Sequence, residues 1–147
     1  MLKGSKTAEN LMKSFAGECQ ARTRYTYYSS IAKKEGYIQI ANIFMETAEQ
    51  EKEHAKIFLK FLKSEYNDEE IEIKASYPVA LHEETKNNLM KAADGENAEW
   101  TKDYPQFAQI AKKEGFNKIA MAYEKIAKIE ARHERRYRRL LNNMEND

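Results

Sequence analysis

The chain repeats itself at a fixed distance, and this repeat constrains the fold more than any other feature of the sequence. Residues 31–37 (Ile-Ala-Lys-Lys-Glu-Gly-Tyr) match residues 110–116 (Ile-Ala-Lys-Lys-Glu-Gly-Phe) at an offset of 79. Further upstream, the dipeptide 17–18 (Gly-Glu) matches 95–96 at an offset of 78, so one residue has been gained between these points. The repeat predicts two structurally similar halves.

Each half is predicted to be a hairpin of two helices. Helix-forming residues dominate, and five glycines and two prolines leave few interruptions. Gly36 and Gly115 each follow a run of lysines, which is typical of a helix C-terminus closed by a left-handed glycine. The expected helices lie at about 6–34, 38–65, 78–113 and 117–143.

These helices predict an all-α fold, an antiparallel four-helix bundle with one long crossover. We expect a single domain over residues 1–147, in which the first hairpin spans about 6–65 and the second about 78–143. The segment 66–77 is the only long connection, and it joins the two hairpins along the bundle.

The residue gained between the two halves lies in the third helix, between Glu96 and Tyr104. A helix can absorb one extra residue as a π-bulge, a feature that is common at functional sites. Pro105 comes directly after this segment and would disturb the same helix. The sequence therefore predicts an irregular turn here.

Composition excludes several classes of protein. The net charge of +1 argues against a nucleic-acid binder that works through a basic face. No apolar run approaches the ~20 residues of a membrane span, and the polar N-terminus lacks the apolar stretch of a signal peptide. The single cysteine, Cys19, excludes internal disulfides and cysteine-rich metal sites, favours a cytoplasmic location, and is interpreted as a packing residue.

Two Glu-x-x-His pairs stand at equivalent points of the repeat. Glu51 and His54 lie one turn apart on one helix face, and Glu130 and His133 repeat the arrangement 79 residues later. Both pairs interrupt stripes that are otherwise apolar. One such pair would carry little weight, but two at the repeat offset predict a metal site. His82 has no glutamate three residues before it and is interpreted as structural.

The other two helices supply further carboxylates. Glu18 and Glu96 contribute one each, and Glu99 follows one turn after Glu96. One glutamate from each of two helices, with Glu-x-x-His from each of the other two, is the ligand pattern of dimetal carboxylate bundles. Five unpaired buried carboxylates would cost several kcal/mol each, and two cations would offset that cost. Mixed carboxylate and imidazole ligands suit iron or manganese.

With these residues the chain resembles the rubrerythrin family. The resemblance rests on residues 17–25 (GECQARTRY), 51–55 (EKEHA), 95–100 (GENAEW) and 130–134 (EARHE), and it covers essentially the whole chain. It implies a ferritin-like bundle that holds two non-haem iron ions, although manganese or zinc would fit similar ligands. The additional carboxylate at Glu99 is a mark of this family among ferritin-like proteins.

The resemblance also implies a role for each ligand. Glu51 and Glu130 would bridge the two irons. Glu18 would be a terminal ligand of the first iron, whereas Glu96 and His133 would hold the second.

Four residues would have catalytic roles by the same resemblance. Glu99 and His54 would alternate on the first iron as the redox state changes. Tyr25 and Tyr104, which are related by the repeat, would form hydrogen bonds within the site; without the resemblance they are either core tyrosines or hydrogen-bond donors to the carboxylates.

The implied activity is reduction of hydrogen peroxide to water. Rubrerythrins usually continue into a rubredoxin-like domain, which would begin near the last residues of this chain, so we expect a separate electron donor such as rubredoxin. The family also suggests a homodimer, with the linker 66–77 permitting exchange of helix pairs between subunits. No nucleic-acid or membrane partner is expected.

Two alternatives remain open from the sequence. The first keeps the metals but changes the activity, to an oxygen-using ferroxidase or another iron-handling protein. The second is metal-free, either a helical interaction module or a phosphotransfer bundle that uses one histidine. This metal-free alternative predicts that His54 or His133 is exposed and that no metal is bound.

Overall fold

The structure, a computed structural model, describes residues 1–145 as a bundle of four long helices. A π-helical turn at Glu99–Asp103 interrupts the third of them and joins α3 to α4. The described residues contain no β-strand, and the predicted all-α bundle is confirmed. The helices are α1 (Lys6–Lys34), α2 (Ile38–Tyr66), α3 (Thr85–Ala98), α4 (Tyr104–Lys113) and α5 (Asn117–Glu145).

The two hairpin turns close in the same way. Gly36 and Gly115 have φ angles of +90° and +89°, the left-handed conformation that glycine adopts without steric cost. The amide of Tyr37 donates to the carbonyl of Ala32 at 2.8 Å, and the equivalent bond closes the second turn at the same distance. These bonds form Schellman motifs, so each hairpin has antiparallel arms, as predicted.

The third helix begins later than predicted, at Thr85 instead of about residue 78. The crossover therefore runs over 67–84, and its last part lies extended along α1, where the hydroxyl of Tyr28 donates to the carbonyl of Ala80. The amide of His82 donates to Asn88 Oδ1 at 2.9 Å, and the Asn88 side chain returns a bond of 2.8 Å to the His82 carbonyl. These hydrogen bonds pair polar backbone groups of the crossover, so this segment does not need the hydrogen bonds of a helix.

The two halves cap each other's first helix. The Glu114 carboxylate accepts from the amides of Thr7 at 2.8 Å and Lys6 at 3.2 Å. At the other end, Glu35 accepts from the amide of Thr85 at 2.7 Å. A carboxylate at a helix N-terminus satisfies unpaired amides and complements the helix dipole. The sequence analysis did not predict these caps, although the two threonines are equivalent residues of the repeat and so are the two glutamates.

Aromatic residues fill the bundle in two layers, one on each side of its centre. One layer includes Tyr25, Phe44 and Tyr137, all essentially buried. The other includes Phe58 and Tyr123. The four helices of this one chain surround the centre between these layers, and the exchange of helix pairs between subunits stays a prediction. No helix within residues 1–145 is both long and apolar enough to cross a membrane.

Candidate metal centre

Six of the seven predicted ligands meet at the centre of the bundle. Helices α1, α2, α3 and α5 each contribute one fully buried glutamate, and α2 and α5 each add a histidine one turn further on. The histidines are only 5% and 6% exposed, which argues against the phosphotransfer alternative. The six residues are Glu18, Glu51, His54, Glu96, Glu130 and His133.

The ligand atoms form two overlapping groups. Within each group one atom from every residue lies within 4.8 Å of the others. Glu51 and Glu130 belong to both groups, which is the arrangement that two bridging carboxylates require. The first group is Glu18, Glu51, His54 and Glu130, and the second is Glu51, Glu96, Glu130 and His133.

Both histidines direct Nδ1 toward the carboxylates. Nδ1 of His54 lies 3.1 Å from Glu130 Oε1. Nδ1 of His133 lies 3.2 Å from Glu51 Oε1 and 3.5 Å from Glu96 Oε1. Each imidazole therefore faces carboxylates of other helices, and its Nε2 points outward.

Most of the potential ligand atoms in the cluster have no hydrogen-bond partner. Eight of these buried atoms form no hydrogen bond within the described chain, although buried polar atoms in proteins are almost always paired. Their position around one centre fits two divalent cations, which would replace the missing partners. The atoms are Glu18 Oε2, both Oε of Glu51, His54 Nδ1, Glu96 Oε2, both Oε of Glu130 and His133 Nδ1.

Burial sets the charge of the metal-free cluster. It raises the pKa of Glu51 and of Glu130 well above the usual range, and the neighbouring carboxylates raise it further. Burial also opposes ionisation of Glu96, but its interactions with Glu130 and His133 favour the ionised form and outweigh burial, so the pKa of Glu96 is lowered. The metal-free cluster thus holds protons that bound cations would displace.

Two tyrosines cross between the halves of the bundle. The Tyr25 hydroxyl donates to Glu96 Oε1 at 2.7 Å, and the Tyr104 hydroxyl donates to Glu18 Oε1 at 2.6 Å. Burial raises the pKa of each tyrosine well above its ordinary value, and the negative charge of the adjacent glutamate raises it further. Both hydroxyls therefore remain protonated donors, and each leaves the second oxygen of its glutamate for a metal.

Glu99, the seventh predicted ligand, lies next to the cluster but belongs to neither group. It begins the π-helical turn Glu99–Asp103, which accommodates the residue that the repeat had predicted to be gained here. Its half-buried side chain lines a cavity of about 480 Å³ between α1, the crossover and α3–α4. Tyr25 and Tyr104 line the same cavity. Burial, and then the charges of the nearby glutamates, raises the pKa of Glu99 well above its usual range.

The family model for rubrerythrin matches residues 9–141. Rubrerythrin from Clostridium perfringens is 60% identical over 144 residues, which are 98% of this chain and 74% of that protein. Rubrerythrin from Nitratidesulfovibrio vulgaris is 47% identical over 92% of this chain and 69% of its own length. The chain belongs to the rubrerythrin family.

Solved structures of related proteins have the same fold as this rubrerythrin-family chain. Nigerythrin in its fully reduced, all-ferrous state superposes with a TM-score of 0.84 at 30% identity, covering 100% of this chain and 74% of that one. Dithionite-reduced symerythrin from Cyanophora paradoxa gives 0.73 at 26% identity, over 94% and 82%. The expected ferritin-like architecture is confirmed, and the buried cluster suits the di-iron site of such proteins.

A polar anchor that sequence analysis missed holds the π-helical turn of this rubrerythrin-family protein. Glu134, which follows the ligand His133, accepts from Trp100 Nε1 at 2.6 Å and from Asn97 Nδ2 at 3.1 Å. Arg138 donates to its other oxygen at 3.1 Å. Burial opposes ionisation of Glu134, but these three donors outweigh it and lower its pKa. The anchored turn is the one that carries Glu99.

Two other residues that sequence analysis considered stay outside the cluster. His82 lies in the crossover, before the helix that it was expected to start. Cys19 is half-buried beside Glu18 on α1, and burial raises the pKa of its thiol. Neither belongs to the two groups of ligand atoms, in agreement with the structural roles predicted for them.

Proposed function

We propose that this protein is a non-haem di-iron peroxidase that reduces hydrogen peroxide to two water molecules, consuming two electrons and two protons. The observation that supports this most strongly is the pair of unpartnered buried ligand groups that share two carboxylates beside an open cavity. Two ferrous ions bound there would supply the two electrons and act as Lewis acids toward the peroxide oxygens.

The ligand roles follow from membership of the two groups. Glu51 and Glu130 would bridge the two metals, because they alone belong to both groups. Glu18 would be a terminal ligand of the first site. Glu96 and His133 would complete the second site.

Glu99 and His54 are alternative ligands of the first site in this proposal. His54 already lies in that group, whereas Glu99 lies just outside it, close enough to Glu18 for the charge of Glu18 to raise the pKa of Glu99. Imidazole is neutral and carboxylate is anionic, so replacement of His54 by Glu99 would favour the more positive, oxidised centre. The π-helical turn that carries Glu99 gives it a position that a regular helix would not.

The residues around the cluster give a small polar oxidant access to it and hold the ligands in position. The cavity beside Glu99 brings peroxide to the carboxylates from the side of α1 and the crossover. Tyr25 and Tyr104 hold Glu96 and Glu18 in place and keep their own protons. Aromatic layers exclude bulk water above and below the cluster.

We infer that the electrons come from a rubredoxin-type carrier. Such a carrier needs four cysteines around one iron, and the 147 residues have one cysteine, so the carrier lies outside them. A cytoplasmic homodimer is the assembly that we propose from the family.

The test compares oxidants on protein that has been loaded with ferrous iron and reduced without oxygen. Stopped-flow absorbance should show that peroxide oxidises the centre faster than an equal concentration of dioxygen, with one peroxide consumed per two irons. Glu99→Ala should still bind two metals but react with peroxide at least tenfold more slowly. Glu124→Ala, which removes an exposed carboxylate on α5, is the matched control and should behave as the wild type.

Two results would contradict the proposal. Faster oxidation by dioxygen than by peroxide would favour the ferroxidase alternative. Unchanged peroxide turnover in Glu99→Ala would exclude the exchange of Glu99 with His54.

A further inference from the structure

The two histidines of the cluster are held differently at their outer nitrogens. Nε2 of His133 forms a hydrogen bond with Oε1 of Gln50, which lies on α2 next to Glu51. Within residues 1–145, no hydrogen bond reaches Nε2 of His54, whose recorded polar contacts all involve Nδ1. The inner faces of the two imidazoles are alike, so their difference lies at the outer edge.

The internal repeat shows that the two halves carry different residues at the position that causes this difference. Gln50 stands immediately before the Glu-x-x-His pair of α2, and the equivalent residue before the pair of α5 is Ile129. Ile129 lines the same surface depressions as His54. The place where a second glutamine side chain would meet His54 is therefore occupied by an isoleucine, which has no acceptor.

A hydrogen bond at the outer nitrogen changes what an imidazole ligand can do. With Oε1 of Gln50 as the acceptor, Nε2 of His133 is the donor and carries the proton, and this tautomer leaves the Nδ1 lone pair directed at the carboxylates. Such a bond fixes both the tautomer and the ring orientation, and its loss costs 10–100-fold in metal affinity in other proteins. Within residues 1–145, no such bond holds the outer edge of the His54 ring, whose polar contacts are those of Nδ1 with Glu130 and Glu18.

The carboxylate that could replace a histidine ligand, Glu99, is also present in only one half of the site. The charge of Glu18, a member of the His54 group, acts on Glu99 more strongly than the charge of Glu96 does. At the offset of 78 that relates Glu18 to Glu96, the counterpart of Glu99 on α1 is Ala21. Ala21 is buried and has no ligand atom. One half of the site therefore combines an unanchored histidine with a spare carboxylate, and the other half has neither.

We propose that Gln50 is a positioning residue that makes His133 a permanent metal ligand, and that Ile129 in the equivalent place leaves His54 free to exchange. The inference rests on the di-iron function proposed above. It adds to that function, because it names the residues that determine whether His54 or His133 can leave its metal.

The test exchanges the two side chains and uses zinc as a redox-silent probe. In zinc-loaded wild-type protein, NMR should show one slowly exchanging imidazole Nε2–H, from His133. Gln50→Ile should lose this signal and weaken one of the two zinc-binding steps by 10–100-fold. Gln50→Glu keeps an acceptor and should retain the signal and bind zinc within a few-fold of wild type. Gln50 is exposed, so these changes spare the core.

The reverse change installs the missing anchor. Ile129→Gln should give a second protected Nε2–H, bind zinc at least as tightly as wild type, and slow the reaction of the reduced iron protein with peroxide about tenfold. Ile129→Leu keeps the apolar volume without an acceptor and should match wild type in all three measurements.

The inference would be overturned if Gln50→Ile kept both zinc-binding steps within twofold of wild type. It would equally be overturned if Ile129→Leu slowed the peroxide reaction as much as Ile129→Gln, because the effect would then come from volume. Zinc binding and imidazole protection do not depend on turnover. A wild-type protein that shows both but does not react with peroxide would refute the proposed function and leave the anchoring of His133 standing.

Discussion

Glu51→Gln should have opposite effects on the folding stability and on the metal binding of this protein. Glu51 is fully buried, and neither of its carboxylate oxygens has a hydrogen-bond partner. Its pKa is raised by burial and by the charges of Glu18 and Glu96. Glutamine has the same shape without the charge, so it removes a source of instability from the metal-free chain and a bridging ligand from the metal site.

The expected gain in stability follows from the cost of buried charge. An unpaired buried carboxylate carries an effective desolvation penalty of several kcal/mol, and Glu51→Gln should remove about 2 kcal/mol of it. A gain of about 2 kcal/mol raises the melting temperature of a domain of this size by about 4–8 °C. We therefore expect metal-free Glu51→Gln to melt about 4–8 °C above metal-free wild type at pH 8.

The sign of the pH dependence follows from the raised pKa of Glu51. Above the unfolded value of about 4.3, the folded metal-free chain holds more protons than the unfolded chain. Raising the pH therefore lowers the stability of the metal-free wild type until the folded pKa has been passed. The advantage of Glu51→Gln should shrink toward pH 4, where the carboxyl group is protonated in both states.

Zinc should reverse the order of the two proteins. A ligand present at 100 times its Kd stabilises the folded state by about 2.7 kcal/mol per site, so two sites give wild type about 5 kcal/mol. Glu51 belongs to both ligand groups, and Glu51→Gln should lose more than half of this gain. The assay is thermal unfolding by circular dichroism at pH 5 and pH 8, with and without zinc.

Glu53→Gln, an exposed change on the same helix, is the control and should melt within about 1 °C of wild type under all conditions, since surface substitutions have small effects. Two outcomes would refute the reasoning. One is a metal-free Glu51→Gln protein that is less stable than wild type at pH 8. The other is an equal stabilisation of both proteins by zinc.

Two further predictions concern hydrogen bonds between the halves of the bundle. Tyr104→Phe removes the donor to Glu18, and leaving a buried acceptor unpaired should cost about 1–3 kcal/mol in urea unfolding of the metal-free protein. Glu114→Gln should cost about 0.5–1 kcal/mol at pH 7, because the exposed carboxylate that caps Thr7 has its pKa lowered chiefly by that residue's hydroxyl group. This contribution is present above the unfolded pKa and is lost as the pH falls through the lower folded value, so the two proteins should converge near pH 3.

Each of these predictions has a clear contrary result. Equal urea midpoints and slopes for Tyr104→Phe and wild type would show that the bond to Glu18 adds no stability. A difference between Glu114→Gln and wild type that persists unchanged at pH 3 would show that the cap does not act through the charge of Glu114.

The bundle could be predicted because its determinants are local. Lysines followed by Gly36 and Gly115 mark two helix ends, and the structure places Schellman turns there. The change of offset from 79 to 78 located an extra residue, and the π-helical turn Glu99–Asp103 lies in that interval. The start of the third helix could not be predicted in this way. Thr85 is capped by Glu35, a residue 50 positions away, and no local pattern records that bond.

The same division applies to the metal centre. The spacing Glu-x-x-His by itself determined that Glu51 and His54 share one helix face, because 3.6 residues complete a turn. Only the tertiary structure decided that Tyr25 bonds to the glutamate of the other half, and that Gln50 reaches His133. Contacts between helices depend on how each helix is rotated and staggered against its neighbours. The packing of the aromatic layers sets that rotation and stagger, and it involves residues from all parts of the chain at once.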